Sequence, residues 1–204
     1  MSQTSLSLLQ QLQDRDRPDN ESWTRLVDLY SPLIRAWLRR HGMTGQDADD
    51  VVQEILSVVF RRLPDFQRND RTGSFRAWLR TITVNCLRDF WKSQRRRRTK
   101  TGSDDTQEML DQLADEHSEL SGIWNREHDR HVTKYLLELI RPEFSEQTWE
   151  AFHRVAVVGD VAKDVAAALG ISLNAVYISR SRVLTRLRHE GQGLLDSEFS
   201  GENS

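Results

Sequence analysis

The stretch that decides the fold is "VAKDVAAALGISLNAVYISRSRVLTRL", Val161–Leu187. Its alanine-rich first part predicts a short helix, and Gly170 can take the positive φ of a tight turn. Ser172 follows at a position from which its side chain can cap a second helix with apolar residues at helical spacing. A short helix, a glycine turn and a second helix rich in arginine are typical of a helix-turn-helix that reads duplex DNA.

The second helix of this unit carries four arginines, Arg180, Arg182, Arg186 and Arg188. A guanidinium group can bind phosphate oxygens and can donate two hydrogen bonds to a guanine edge. A plain helical hairpin with a solvated basic face is the alternative that the residues alone leave open.

A second informative stretch is "GSFRAWLRTITVNCLRDFWKSQRRRR", Gly73–Arg98. Apolar residues at helical spacing predict a core helix, with Trp78 and Phe90 facing inward. Arginine can neutralise phosphate, asparagine can pair with a base edge, and an exposed aromatic ring can stack on an unpaired base. We therefore expect a nucleic-acid surface on the other face of this helix, although the arginines could also serve solubility alone. The residues of that face are Arg76, Arg80, Thr83, Asn85, Arg88, Trp91, Lys92 and Arg95.

The rest of the chain shows the same period of about 3.6 residues, without the alternation of a sheet. Helices are expected over 22–40 and 44–63, and these could close a small bundle with the helix that starts near Ser74. We expect an all-α protein of two small helical domains joined by a flexible acidic linker. The expected division is 1–19 N-terminal tail, 20–98 first domain, 99–128 acidic linker, 129–190 second domain and 191–204 C-terminal tail.

The charge pattern supports this division. The net charge of the 204 residues is −2, but residues 71–100 hold ten Arg or Lys and one acid, whereas residues 99–120 hold seven acids and one Lys. A basic block is therefore followed directly by an acidic one. Since the acidic segment has few large apolar residues, its composition predicts a flexible linker.

Several classes of function are disfavoured by what the sequence lacks. The single cysteine, Cys86, excludes an internal disulfide and a cysteine-rich zinc site. His128 and His131 have no third ligand nearby, and neither a glycine-rich phosphate loop nor a nucleophile elbow is present. No stretch approaches a membrane span, and the N-terminus is a poor signal peptide. We expect no metal, no cofactor, no enzymatic activity, no membrane insertion and a cytoplasmic location.

Three stretches together resemble a known family. "DADDVVQEILSVVFRRLPDF", Asp47–Phe66, with the stretch Gly73–Arg98, resembles conserved region two of bacterial sigma factors. "VAKDVAAALGISLNAVYISRSRVLTRLRHE", Val161–Glu190, resembles their region four. A chain with these two regions and little else is similar to the extracytoplasmic-function group of the sigma-70 family. The resemblance covers residues 20–98 and 129–190.

The resemblance implies an RNA polymerase sigma factor that recognises promoter DNA and promotes initiation. It assigns the polar face of the second helix to the β′ subunit of core RNA polymerase, through Asp50, Gln53 and Glu54. Taken alone, that face could be merely solvated. Residues implied at the −10 element are Arg71, Ser74, Arg76, Arg80, Asn85, Arg88, Trp91, Lys92 and Arg95.

Region four of relatives reads the −35 duplex and also touches the polymerase β subunit. Relatives often carry Lys and Arg early in the recognition helix, where this sequence has Tyr177 and Ser179. The resemblance also raises an anti-sigma protein as a partner, one that would wedge between the two domains. Residues implied at the −35 element are Ser172, Asn174, Ala175, Tyr177, Ser179, Arg180, Arg182 and Arg186.

Three rival functions remain open at this point. A stand-alone helix-turn-helix regulator would bind DNA without polymerase, and a sigma mimic would occupy polymerase or an anti-sigma protein without initiating. An enzyme acting on nucleic acid is the third, and the lack of clustered carboxylates in the basic block counts against it.

Overall fold

The computed structural model describes residues 8–13, 20–66, 74–97 and 104–195, and within these ranges there is no β-strand. The expected all-α class is confirmed. Short 3₁₀ turns occupy Leu63–Asp65 and Arg141–Glu143, and a π turn, Arg154–Val158, extends α7. The helices are α1 Leu8–Gln13, α2 Asn20–Arg40, α3 Gly45–Arg62, α4 Ser74–Arg97, α5 Asp104–Ala114, α6 Glu119–Ile140, α7 Glu146–His153, α8 Ala162–Leu169 and α9 Leu173–Glu190.

The helices α2, α3 and α4 form the expected small bundle. Ile34 and Trp37 of α2, Ile55 of α3 and Leu79 of α4 are almost wholly removed from water. Burial of such side chains contributes roughly 1.5–3 kcal/mol each. Trp78 and Phe90 are partly buried and pack against this core, as the helical spacing predicted.

The structure first differs from the sequence-based expectation in the segment that was expected to be a flexible linker. Residues 104–114 form α5, and α6 already begins at Glu119. Leu110 and Leu113 are 1% and 0% exposed, and Trp124 of α6 meets Trp37 edge-on with ring centroids 5.4 Å apart. The segment is ordered because these few apolar residues share one face and find a hydrophobic partner surface.

The expected boundary at residue 129 lies inside α6. This helix packs on α2, α4 and α9. Arg25 of α2 also donates to the buried carboxylate of Glu190 in α9, at 2.7 Å. The two expected units therefore share one hydrophobic core in this structure.

Parts of both expected tails are also ordered. Leu8 and Leu9 of α1 are buried, and so is Leu194 after the last helix. Gly193 has a φ of 89°, and a Cβ there would lie only 2.9 Å from Leu9 Cδ1. Helix α1 therefore packs against the turn that follows α9, and leucines from both contribute to the shared core.

The helix-turn-helix at α8 and α9 has the predicted local geometry. Gly170 has a φ of 64° and ends α8, and the Ser172 hydroxyl accepts a hydrogen bond from the Ala175 amide at 3.1 Å. A second, smaller core joins Val165 of α8 to Val176 of α9. The glycine turn and the serine cap are both confirmed.

Candidate nucleic-acid and polymerase interfaces

Arginines of the basic face predicted on α4 form ion pairs with acidic residues of α5 and α6. Arg76 pairs with Asp129 of α6, and the guanidinium of Arg88 donates to Asp111 of α5 at 2.7 Å. Thr83, expected on this face, is fully buried, and of the predicted −10 residues Arg80 is placed differently from expectation. It is only 6% exposed, because the α5–α6 corner covers it.

Ion pairs accompany the apolar contacts that hold the acidic segment on α4. Burial alone would raise the pKa of Asp129, but hydrogen bonds from His128 and Arg76 outweigh it and hold the pKa below its ordinary value. The hydrogen bond from Arg88 likewise lowers the pKa of Asp111. Burial lowers the pKa of Arg80, and its nearest polar partner is the Asn125 side-chain oxygen at 3.4 Å.

His128 completes a buried chain of polar groups between α2 and α6. Its Nε2 lies 3.1 Å from the hydroxyl of Tyr30, and its Nδ1 lies 2.9 Å from the carboxylate of Asp129. His131 contacts the Leu29 carbonyl at 2.7 Å. Both histidines, which the sequence left without a site, therefore join α6 to the bundle. Within the described residues, no group of three or more His, Cys, Asp or Glu side chains is arranged to hold a metal ion.

The remaining −10 residues are dispersed. Asn85 and Lys92 are exposed on α4, whereas Trp91 is half-buried edge-on against Phe90 at 5.3 Å. Three predicted positions fall outside what the structure describes: Arg71, and the side chains of Ser74 and Arg95.

A groove of about 470 Å³ runs between α3 and α4. Asp50 and Glu54, predicted to bind polymerase, form one wall with Asp47, and Asn85 lies on the opposite wall with Asp89. Among the described residues that line it, Arg62 is the one cationic side chain, so this lining repels phosphate and attracts a basic partner. Gln53, the third predicted polymerase residue, is exposed on the same helix.

Cys86 lies at the floor of this groove, and burial raises the pKa of its thiol to about 11. Such a thiol is almost wholly protonated at neutral pH, so it behaves as a small apolar residue.

The predicted −35 residues of α9 differ in how far they are exposed to solvent. Asn174, Tyr177 and Arg182 are exposed, and Ala175 and Arg180 are half-buried. Ser172 serves as the helix cap, and Arg186 is held by Glu143 at 2.7 Å and Glu190 at 2.6 Å.

Ser179 is placed differently from the expectation for a DNA contact. Only 9% of it is exposed, because it lies on the inner face of α9 between Val176 and Val183. Sequence reasoning missed the exposed Leu173 and Ile178, which interrupt the polar surface of the same helix. It also missed Asp111 and Asp129 as partners of the α4 arginines.

Membrane insertion has no support in the described residues, where no helix is both long and apolar enough to span a bilayer.

Comparison with known proteins identifies relatives along most of the chain. The family model described as Sigma-70 region 2 matches residues 26–97, which correspond to the bundle α2–α4. The RNA polymerase sigma factor CnrH of Cupriavidus metallidurans is 27% identical over 186 residues, which cover 88% of this chain and 90% of that protein. The RNA polymerase sigma factor NccH of Alcaligenes xylosoxydans xylosoxydans is also 27% identical, over 85% of this chain and 90% of that protein.

The ECF RNA polymerase sigma factor SigE of Mycolicibacterium smegmatis is 28% identical over 82% of this chain and 60% of that protein. Among solved structures, CnrH in complex with the cytosolic domain of CnrY aligns over 88% of this chain and 92% of that one, with 22% identity and a TM-score of 0.35.

Proposed function

The chain belongs to the extracytoplasmic-function group of the sigma-70 family, and we infer that it works as an RNA polymerase sigma factor. The observation that carries this conclusion is the match of the region-two family model to residues 26–97. In the proposed division, residues 20–98 serve as region two and residues 129–190 as region four.

Core polymerase is the first proposed partner, and the groove between α3 and α4 is its proposed docking site. Asp50 and Glu54 give that groove an acidic wall, and Gln53 extends the polar surface along α3. A basic element of the polymerase would be attracted to this wall and would find an apolar floor beyond it. The proposed function is binding alone, and the chemistry of RNA synthesis belongs to the polymerase.

Promoter DNA is the second proposed partner, with α4 at the −10 element and α9 at the −35 element. Asp129 and Asp111, in the segment 104–129, pair with arginines of α4 to which, on this proposal, DNA phosphates would bind. Arg76 and Arg88 can exchange Asp129 and Asp111 for phosphates only when that segment moves. We therefore include in the proposal a closed state, in which α5 and the start of α6 cover α4, that opens on polymerase.

An anti-sigma protein is a further proposed partner, and we propose that the chain works in the cytoplasm, where its polymerase is found.

The deciding experiment adds the purified chain to core polymerase and a pool of promoter fragments. We expect a complex with core enzyme, selective retention of one class of fragment, and transcripts that start at a fixed position. Sequence-specific DNA binding without polymerase, and no polymerase-dependent start, would instead identify a stand-alone regulator. If no complex with core enzyme forms, the proposed function is wrong.

A further inference from the structure

The outer face of α9 carries large apolar side chains in its first two turns. Leu173, Tyr177 and Ile178 are 42%, 49% and 50% exposed. Leu173 and Tyr177 lie four positions apart on the same side of the helix, and Ile178 lies about 100° further round it, so the patch that they form spans the middle of the exposed surface. The fold itself does not explain this patch, since the core of the unit lies on the opposite side of α9.

The patch lies at the centre of the exposed surface of α9. With about 3.6 residues per turn, the midline of that surface runs through Asn174 and Ser181, both of which are exposed. Tyr177 lies directly on one side of this midline and Ile178 on the other. Val176 marks the opposite, buried side.

Two of the four arginines of the helix flank the patch. Arg180 lies at one margin of the exposed surface and Arg182 at the other. When a helix enters the major groove, its midline faces the base edges, and long side chains at its margins reach the phosphates on both walls. Apolar side chains on both sides of this midline, with a cation at each margin, therefore complement duplex DNA better than they complement a protein surface.

The floor of the major groove has one apolar feature, the C5-methyl group of thymine. We propose that Tyr177 and Ile178 are specificity-determining residues that contact thymine methyl groups in the −35 element. Asn174 lies beside them and can donate to and accept from an adenine edge, so this surface favours A·T pairs. This inference rests on the proposed function, because it requires α9 to read a promoter duplex.

The test uses holoenzyme formed from the full chain and core polymerase, on the −35 element selected from the promoter pool. Each thymine of that element is replaced in turn by deoxyuridine, which removes only the methyl group. We expect one or two positions at which the affinity falls about fourfold, the value of one buried methyl group. At one of these positions, Ile178→Ala or Tyr177→Ala holoenzyme should bind thymine and deoxyuridine DNA equally well.

Val158→Ala is the matched control, since Val158 is 60% exposed outside α9 and should leave the deoxyuridine effect unchanged. A selected element without thymine, or the same deoxyuridine effect in both α9 variants as in the original chain, would overturn the proposal. An Ile178→Ala chain that binds core polymerase less tightly without DNA would identify the patch as a protein contact instead. Failure to form holoenzyme at all would count against the proposed function, which separates the two claims.

Discussion

Asp129 joins two helices through a single carboxylate. It accepts from Arg76 of α4 and from its own neighbour His128, which in turn contacts Tyr30 of α2. Replacement of this carboxylate by an amide leaves a half-buried guanidinium without its counter-charge. We expect Asp129→Asn to lower the free energy of unfolding by about 1–3 kcal/mol, measured by urea denaturation.

Asp111→Asn is the control for this variant, because Asp111 also pairs with an α4 arginine but lies in water. Exposed ion pairs contribute little to stability, so no measurable loss is expected. Equal losses in the two variants would show that burial does not distinguish the two pairs.

Glu190 gives a prediction on pH. Burial acts to raise its pKa, but hydrogen bonds from Arg186 and Arg25 outweigh burial and bring the pKa below its ordinary value. A carboxylate of this kind stabilises the fold above its ordinary pKa of about 4.3, and the stabilisation is lost as the pH falls through the folded pKa. We therefore expect Glu190→Gln to be less stable than the original chain at pH 7.

The difference between the two chains should shrink as the pH is lowered below about 4.3. Urea unfolding at a series of pH values measures it. A stability difference that is the same at every pH would mean that the charge of Glu190 does not stabilise the fold.

At the scale of helices, α5 shows where sequence reasoning reached its limit. The segment is acidic and has few large apolar residues, and such a composition predicts a flexible linker. Leu110 and Leu113 were the available signal, because their spacing of three places them on one helical face. Whether two leucines suffice depends on the partner surface, and that surface is formed by residues distant in the sequence.

Separation along the chain also decides which features of the candidate sites the sequence could predict. The turn at Gly170 and the cap at Ser172 depend on neighbouring residues, and the sequence predicted both. The pair Arg88–Asp111 joins residues 23 apart, and Arg76–Asp129 joins residues 53 apart. Spacing within one helix identifies which side chains share a face, but it cannot identify what covers that face.

Leu113 tests whether α5 is part of the core. Its side chain is fully buried, so Leu113→Ala removes apolar contacts and leaves a cavity. We expect a loss of about 2–5 kcal/mol in the free energy of unfolding. Leu173→Ala, on the exposed face of α9, should change it by less than about 0.5 kcal/mol. If the Leu113→Ala chain is as stable as the control, α5 does not contribute to the core, and the interpretation of this segment as a flexible linker is correct.

The groove between α3 and α4 gives the prediction for polymerase. Glu54→Lys reverses one charge on its acidic wall at an exposed position, so the fold should be unaffected. We expect at least a tenfold weaker complex with core polymerase and an unchanged melting temperature. Asp28→Lys, which reverses an exposed acid on α2, is the control and should bind core polymerase normally. If the Glu54→Lys chain binds core polymerase as tightly as the original chain, polymerase does not dock in this groove.

At the scale of the whole molecule, one core links the two halves of the chain, and the acidic segment lies on the arginines of α4. If this closed state is the main state of the free chain, its affinity for DNA is reduced by the fraction of molecules that are open. Asp111→Lys places a like charge opposite Arg88 and should favour the open state. We expect it to increase the affinity of the free chain for single-stranded DNA, measured by fluorescence anisotropy at fixed salt.

Glu108→Lys makes the same change of charge at an exposed residue of α5 that accepts a hydrogen bond from Gln112 rather than from Arg88, so it separates the effect of opening from the effect of added positive charge. The Asp111→Lys chain should therefore bind DNA more tightly than the Glu108→Lys chain when both are free. In holoenzyme the two should become equal, because the proposed opening on polymerase removes the segment from α4 in each. An advantage of Asp111→Lys that persists in holoenzyme would mean that the lysine itself contacts DNA. Equal affinities of the two free chains would mean that the segment 104–129 does not compete with DNA for α4.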